Sequence, residues 1–158
     1  ISKTPIGENE GTTSLLDRLA RIGADTLESV LSDIEKGVAT FTPQEHEKAT
    51  FCKMLTKSDA VIDWSESAEQ IVRKIRAFDY MGASTTLNGE MLKIYSATVV
   101  DAEGKTGNII SANDKTGVVV GCGDKSILIG QMLRAGGKRI NSADSVRGRK
   151  IKLGDTLA

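Results

Sequence analysis

The sequence predicts a mainly β protein with flanking helices, in which a small five-stranded barrel follows an N-terminal helical segment. Apolar residues repeat with a helical period before Gly37 and with a two-residue period after Gly82. Five short β-like runs then follow one another with turn residues between them, which favours a small barrel. A chain of 158 residues has room for one domain with an appendage.

The first predicted helix starts at residues 12–14, whose hydroxyl groups can cap it, and stops at Gly37. Its leucine, isoleucine and valine residues form one apolar stripe that must pack on another surface. The rest of the chain supplies too little surface for that stripe. We therefore expect an upstream domain to cover it, or self-association through residues 13–34. Residues 38–48 are polar, contain Pro43 and read as a linker.

A second helix follows a short extended segment at residues 61–64. Ser67 and Gln70 have the spacing of a capping box, in which each side chain satisfies a backbone N–H of the other residue. The apolar face of this helix consists of Ala68, Ile71, Ile75 and Phe78.

The five strands are predicted from alternation and turn signals. Residues 84–87 and a long run from 91 to 100 flank Asn88-Gly89, the strongest short signal for a hairpin with a type I′ turn. Three further strands are predicted at residues 107–111, 117–121 and 126–133. A short helix capped by Asn141-Ser142 ends at Val146, and a turn follows at Gly154-Asp155.

The charge of the chain is zero overall but is distributed unevenly. Residues 1–50 hold five Lys or Arg against nine Asp or Glu, a net of −4, whereas residues 101–158 hold ten against six, a net of +4. The basic excess is concentrated in Arg134, Lys138, Arg139, Arg147, Arg149, Lys150 and Lys152, with only Asp144 among them. A basic module attracts a polyanion, and nucleic acid is the commonest one, while a solvated basic surface is the alternative.

Several other functions are disfavoured by the residues present. No apolar run approaches the roughly 20 residues that span a bilayer. One histidine and two cysteines do not make a conventional zinc site. His46 lies in the polar linker and is interpreted as a surface residue. Cys52 and Cys122 are interpreted as free, partly buried thiols. No nucleophile, base and oxyanion stabiliser come together, so we predict no catalytic residue.

The module that carries the basic segment has few aromatic residues, with Tyr80 and Tyr95 as its only tyrosines. Weak base stacking favours recognition of a nucleic-acid backbone and its shape over readout of bases. Double-helical RNA is read mostly in that way.

Three blocks of residues resemble the C-terminal region of methionyl-tRNA formyltransferases. They are residues 53–65, which contain Asp63-Trp64-Ser65, the Ile75-Arg76-Ala77-Phe78 block, and residues 136–144 with Gly148-Arg149 and Gly154-Asp155. Residues 13–19 and 34–37 look like the last helix of the catalytic domain of that family. The start of the chain, which lacks an initiator Met, suggests that the numbering begins inside a longer protein.

The resemblance implies a fold, a reaction and a division of the chain. Residues 1–36 would be the trailing helix of the catalytic domain, 37–52 the linker, and 53–158 an OB-like tRNA-binding domain. The whole enzyme would transfer a formyl group from 10-formyltetrahydrofolate to methionyl initiator tRNA in the cytoplasm. The Asn, His and Asp catalytic set of the family is not found here, so we expect this chain alone to be inactive, with initiator tRNA and the catalytic domain as its partners.

The family usually continues Ile-Arg-Ala-Phe with Asn-Pro-Trp-Pro, whereas this chain has Asp79-Tyr80-Met81-Gly82. That departure keeps two alternatives open, an accessory domain of a sugar-nucleotide formyltransferase and a purely structural brace. The basic segment favours tRNA. The residues predicted to contact its phosphates are Arg76, Lys138, Arg139, Arg147, Arg149 and Lys150.

Overall fold

The structure, a computed structural model, describes residues 1–158 and divides into two compact units, residues 1–56 and 57–158. The first unit contains helix α1, Thr12–Glu35, and a 3-10 turn, His46–Lys48. Gly37 ends α1 as predicted, with a positive φ of 68° and its N–H donating to the carbonyl of Ile34.

The predicted cap of α1 is wrong. The N-cap is Gly11, which provides no side-chain hydrogen bond, and residues 12–14 lie inside the first turn. Ser14 donates its hydroxyl hydrogen to the carbonyl of Gly11 at 3.1 Å, so it bonds back along the helix instead of capping it.

The second unit contains two helices and eight strands. After a 3-10 turn at Lys57–Ala60 these are α2 Ala68–Ala77, β1 Ala83–Leu87, β2 Glu90–Ile94, β3 Ala97–Val100, β4 Ile109–Asn113, β5 Gly117–Gly121, β6 Ser126–Ile129, β7 Gln131–Arg134, β8 Ile140–Asn141 and α3 Ser142–Arg147. The prediction of a mainly β protein with flanking helices is confirmed.

The strands form two antiparallel sheets, with the orders β1-β2-β7-β8 and β3-β6-β5-β4. Two of the five predicted strands are divided by bends. The run 91–100 breaks between β2 and β3, and the run 126–133 breaks at Gly130 between β6 and β7. The bends are joined, because Gly130 and Gln131 donate their N–H groups to the carbonyl and hydroxyl oxygens of Ser96.

The two sheets do not form one closed ladder, but the end of the chain links their outer strands. Ala158 exchanges two backbone hydrogen bonds with Thr86 of β1, at 2.7 and 3.1 Å. Leu157 donates to the carbonyl of Gly107, just ahead of β4, at 2.7 Å. Residues 155–158 thus link the two sheets into the predicted barrel-like domain, although local sequence patterns did not predict this link.

The core lies between the sheets and under α2. Its largest fully buried side chains include Ile71, Ile75, Leu92, Ile94 and Ile127. The capping box of Ser67 and Gln70 is confirmed, and so is the hairpin, in which Asn88 and Gly89 both have positive φ between Leu87 and its partner Glu90.

Candidate nucleic-acid interface

The six predicted contact residues lie on three parts of the second unit. Arg76 is in the last turn of α2 and is half-buried. Lys138 and Arg139 are exposed in the turn between β7 and β8. Arg147 ends α3, and Arg149 and Lys150 follow it, all three exposed.

The structure brings Lys138 and Lys150 together at one cavity of about 270 Å³. The other lining residues are Met132, Arg134, Gly137 and Ile140. Neither lysine forms an ion pair with a carboxylate, and both side chains are exposed. The cavity therefore offers unneutralised positive charge above an apolar floor.

Local backbone geometry places both lysines at this cavity. Gly136 adopts a positive φ of 69° in the turn after β7, and the N–H of Gly137 donates to the carbonyl of Arg134, which returns the chain towards β8. After α3, Arg149 has a φ of 54°, and the N–H of Lys150 donates to the carbonyl of Ser145. That reversal lets Ile151 enter the core while Lys150 stays at the surface.

Arg134 is the third cation of the cavity and was not among the predicted contact residues. Its side chain is 28% exposed and is held by two acceptors. Nη2 lies 2.5 Å from Oε2 of Glu90, and Nη1 donates to the carbonyl of Lys150 at 3.1 Å. The basic excess of the sequence includes Arg134, but its pairing across β2 and β7 is not visible there.

Arg139 stacks on an aromatic ring. Its guanidinium carbon lies 4.1 Å from the ring centroid of Tyr95, which is half-buried at the bend after β2. A cation over a tyrosine ring is held by the negative face of the ring. Arg139 is exposed and has no carboxylate partner, so its position is fixed while its charge remains available.

Arg147 and Arg76 are placed less favourably for contact with a phosphate than the lysines at the cavity are. The guanidinium of Arg147 donates to Asp144 at 2.8 Å and to the carbonyl of Asp114 at 3.0 Å, so much of its charge is already matched. Arg76 does not line the cavity. The structure therefore groups Lys138 and Lys150 with Arg134, and leaves Arg76 on a separate element.

The remaining residues singled out from the sequence have structural or surface positions. His46 is exposed. Burial raises the pKa of the Cys122 thiol to about 11, with Asp124 adding to the rise, so a thiolate nucleophile is disfavoured there. Cys52 was expected to be partly buried and is instead exposed, because residues 50–56 pack into no core.

No membrane-crossing helix is present, since none combines the required length and apolar character.

Besides the basic cavity, the second unit has a larger and more open groove, of about 410 Å³. Its lining includes Asp63, Trp64 and Thr106, and Asp63 is the only charged residue of that lining. It therefore lacks the positive charge that an anionic ligand needs.

Comparisons with known proteins identify relatives over the whole chain. Residues 54–150 match the family described as "Formyl transferase, C-terminal domain". A methionyl-tRNA formyltransferase of Pelobacter propionicus is 36% identical over 155 residues, which is 98% of this chain and 48% of the relative. One of Acidovorax ebreus is 37% identical over 163 residues, 99% of this chain and 50% of the relative. The chain thus spans about half the length of the curated relatives it matches.

Solved structures give the same fold. A variant of HypX from Aquifex aeolicus aligns with a TM-score of 0.69 at 21% identity, over 89% of this chain and 26% of HypX. A second HypX structure, in complex with tetrahydrofolic acid, aligns with a TM-score of 0.60 at 23% identity, over 73% of this chain and 21% of HypX. At these identities the likeness concerns the fold alone.

Proposed function

The chain belongs to the family of formyl transferase C-terminal domains, and from that premise we propose that it is the tRNA-holding part of a methionyl-tRNA formyltransferase. The observation that carries the proposal is the basic cavity, at which Lys138 and Lys150 present unpaired ammonium groups beside Arg134. Neighbouring Arg139 and Arg149 extend this exposed basic surface along the chain. The phosphate backbone of RNA is the partner with matching charge.

In this proposal the domain binds tRNA, and formyl transfer takes place in a separate catalytic domain. The cations hold phosphates of initiator tRNA and orient its acceptor arm towards a catalytic domain, so that binding energy assists formyl transfer. Residues 1–36 would be the trailing helix of that catalytic domain, 37–52 the linker and 53–158 the tRNA-binding domain. The chain on its own would hold tRNA without formylating it.

The apolar stripe of α1 supports a docking role for the first unit. Leu16, Leu27 and Leu31 are each more than half exposed although they are large apolar side chains. We propose that the catalytic domain covers them, and that in the isolated chain a second copy does so through residues 13–34. Sedimentation of this chain at increasing concentration would test the second copy, and a monomer at every concentration would contradict it.

A folate fits neither of the two cavities described above. Its carboxylates need cations, but the groove of about 410 Å³ has only the acidic Asp63 as a charged lining residue. The basic cavity of about 270 Å³ is small for a folate. We therefore assign 10-formyltetrahydrofolate, as co-substrate, to the catalytic domain. We also assign the protein to the cytoplasm, where initiator tRNA is used.

The test is a titration of initiator tRNA into this chain at two salt concentrations. Binding should weaken as salt rises, because each neutralised phosphate releases counterions. The double charge reversal Arg149→Glu with Lys150→Glu should weaken binding and flatten the salt slope by about 0.9 for each duplex phosphate that is no longer neutralised. The reversal of Arg21→Glu in α1 together with Lys36→Glu directly after α1 changes net charge equally and serves as the matched control.

The outcomes separate the candidate functions. An equal weakening of binding in both double variants would show that only net charge matters and would remove Arg149 and Lys150 from the site. A chain that does not bind tRNA at low salt would refute the proposal. In that case a sugar-nucleotide formyltransferase or a structural brace would be the better description of the parent protein.

A further inference from the structure

The guanidinium of Arg134 is held at the basic cavity with part of its capacity unused. It has five N–H donors, and the structure accounts for two of them, at Glu90 and at the carbonyl of Lys150. The acceptor at Lys150 is a backbone carbonyl, and it is bonded through Nη1, whereas Glu90 is bonded through Nη2. The side chain is therefore oriented before any ligand arrives, which reduces the entropy cost of binding.

Glu90 does not line the cavity and is itself 64% exposed. It lies at the end of the β1–β2 hairpin, opposite Leu87, with no other partner for its carboxylate. An ion pair with one exposed member contributes little to stability, because water competes for both of its charges. Water can therefore replace Arg134 as the partner of Glu90 at small cost.

A phosphate group at this position would contact more cations than the carboxylate of Glu90 does. It would meet Arg134 together with Lys138 and Lys150, the two unpaired lysines that line the cavity. The planar fork of arginine matches two oxygens of a phosphate, whereas the lysines act as point charges. The apolar floor of Met132 and Ile140 excludes water below the anion and strengthens its attraction to the three cations.

We propose that this cavity is a discrete phosphate site in which Glu90 is the resting partner of Arg134 and is displaced when an RNA phosphate enters. The inference rests on the proposed function and adds to it one specific residue and a competition that regulates that residue. Arg134 becomes the principal phosphate ligand, and Glu90 sets how readily it is available. A carboxylate that competes with RNA also disfavours weakly bound anions.

The experiment is a double-mutant cycle on the 158-residue chain with an RNA duplex of about 16 base pairs as probe. Glu90→Gln should tighten binding about twofold to fivefold, because the competing ion pair is removed. Arg134→Gln should weaken binding about tenfold or more, as expected for hydrogen bonds to a charged group. In the Arg134→Gln background, Glu90→Gln should have almost no further effect.

Two further variants control for charge and fold. Glu103→Gln removes one exposed, unpaired carboxylate and matches the change in net charge. Arg134→Lys keeps the positive charge without the planar fork, so it should bind less tightly than the unmodified chain and more tightly than Arg134→Gln. If Arg134→Gln fails to fold, the comparison of Glu90→Gln with Glu103→Gln still decides. Equal affinity of those two variants would overturn the proposal.

A second probe, inorganic pyrophosphate, separates this inference from the proposed function. RNA binding that is insensitive to Glu90 and Arg134 would overturn the phosphate site and leave the tRNA-holding role standing. Pyrophosphate binding that depends on Arg134, in a chain that does not bind RNA, would overturn the tRNA role and identify a site for a free phosphate. Binding of neither probe would overturn both.

Discussion

The two units of the chain keep their structures by different means. Residues 57–158 enclose every buried apolar side chain of the protein, from Ala60 to Leu157. Residues 1–56 enclose none, and helix α1 has no buried residue along its 24 residues. The second unit is held by a core, whereas α1 is held by its own backbone hydrogen bonds and local side-chain contacts.

The two units also differ in net charge. Residues 1–56 hold six Lys or Arg against nine Asp or Glu, a net of −3, and residues 57–158 hold fifteen against twelve, a net of +3. The acidic unit presents an apolar stripe, and the basic unit presents a cavity lined by cations. This difference is consistent with the proposed roles, in which the first unit contacts protein and the second contacts a polyanion.

The comparison is tested most strongly by truncating a large apolar side chain in each unit. Ile71→Ala should destabilise the second unit by about 2–5 kcal/mol, because Ile71 is fully buried and leaves a cavity. Leu27→Ala in α1 should leave the same transition unchanged, since Leu27 is 58% exposed. Urea unfolding followed by the fluorescence of buried Trp64 measures both. A comparable destabilisation by Leu27→Ala would mean that α1 contributes to the stability of the second unit.

Replacing one glycine by alanine in each unit extends the comparison, because the two substitutions should have opposite effects on stability. A Cβ at Gly123 would lie 2.1 Å from the backbone oxygen of Ser65, which cannot yield, so Gly123→Ala should cost about 1–3 kcal/mol or more. A Cβ at Gly23 would meet nothing within 4 Å, so Gly23→Ala should stabilise α1 by about 1 kcal/mol. The urea midpoint reports the first change and far-UV circular dichroism the second. A Gly123→Ala variant with an unaltered midpoint would contradict the close contact.

Elements that depend on neighbouring residues could be predicted from the sequence. The capping box at Ser67 and the Asn88-Gly89 turn are both set within four residues, and both are confirmed. The buried face of α2 is set by helical period alone. The predictions for Cys52 and for the cap of α1 were wrong. The burial of Cys52 depends on whether a core lies near it, and the cap depends on which of several small residues, Gly11 among them, precedes the helix.

Features that join distant residues could not be predicted. The β2–β3 and β6–β7 bends are stabilised by bonds from residues 130 and 131 to Ser96. The pairing of Arg134 with Glu90 spans 44 residues and depends on the register of β2 with β7. A basic run in the sequence predicted an anion-binding surface, but only the fold shows that three of its members, Arg134, Lys138 and Lys150, line one cavity.

The smallest expected effect is a response to acid that differs between the units. The pKa of Asp124 lies below its usual 3.8, first because its carboxylate accepts the N–H of Ala68 at the start of α2, and then because it accepts that of Lys125. The pKa of Glu10 is lowered from 4.5 to about 2, mainly by its hydrogen bond from Arg18 and also by the N–H of Gly7. Each unit thus has a carboxylate that connects neighbouring segments of its chain through hydrogen bonds.

Both carboxylates have lowered pKa values in the folded chain, so their contributions are complete above the unfolded pKa of about 4 and disappear as pH falls through the folded value. Asp124→Asn should lower the urea midpoint of the second unit at pH 7. The gap from the unmodified chain should begin to close below the unfolded pKa of about 4 and should disappear once folded Asp124 is protonated. Glu10→Gln should leave that midpoint unchanged at every pH and reduce only the helicity of α1, with its own gap closing as the pH approaches about 2. A gap for Asp124→Asn that stays constant down to about pH 2 would show that the charge of Asp124 does not hold the β5–β6 turn to α2. A midpoint that shifts with Glu10→Gln would show that the two units unfold together.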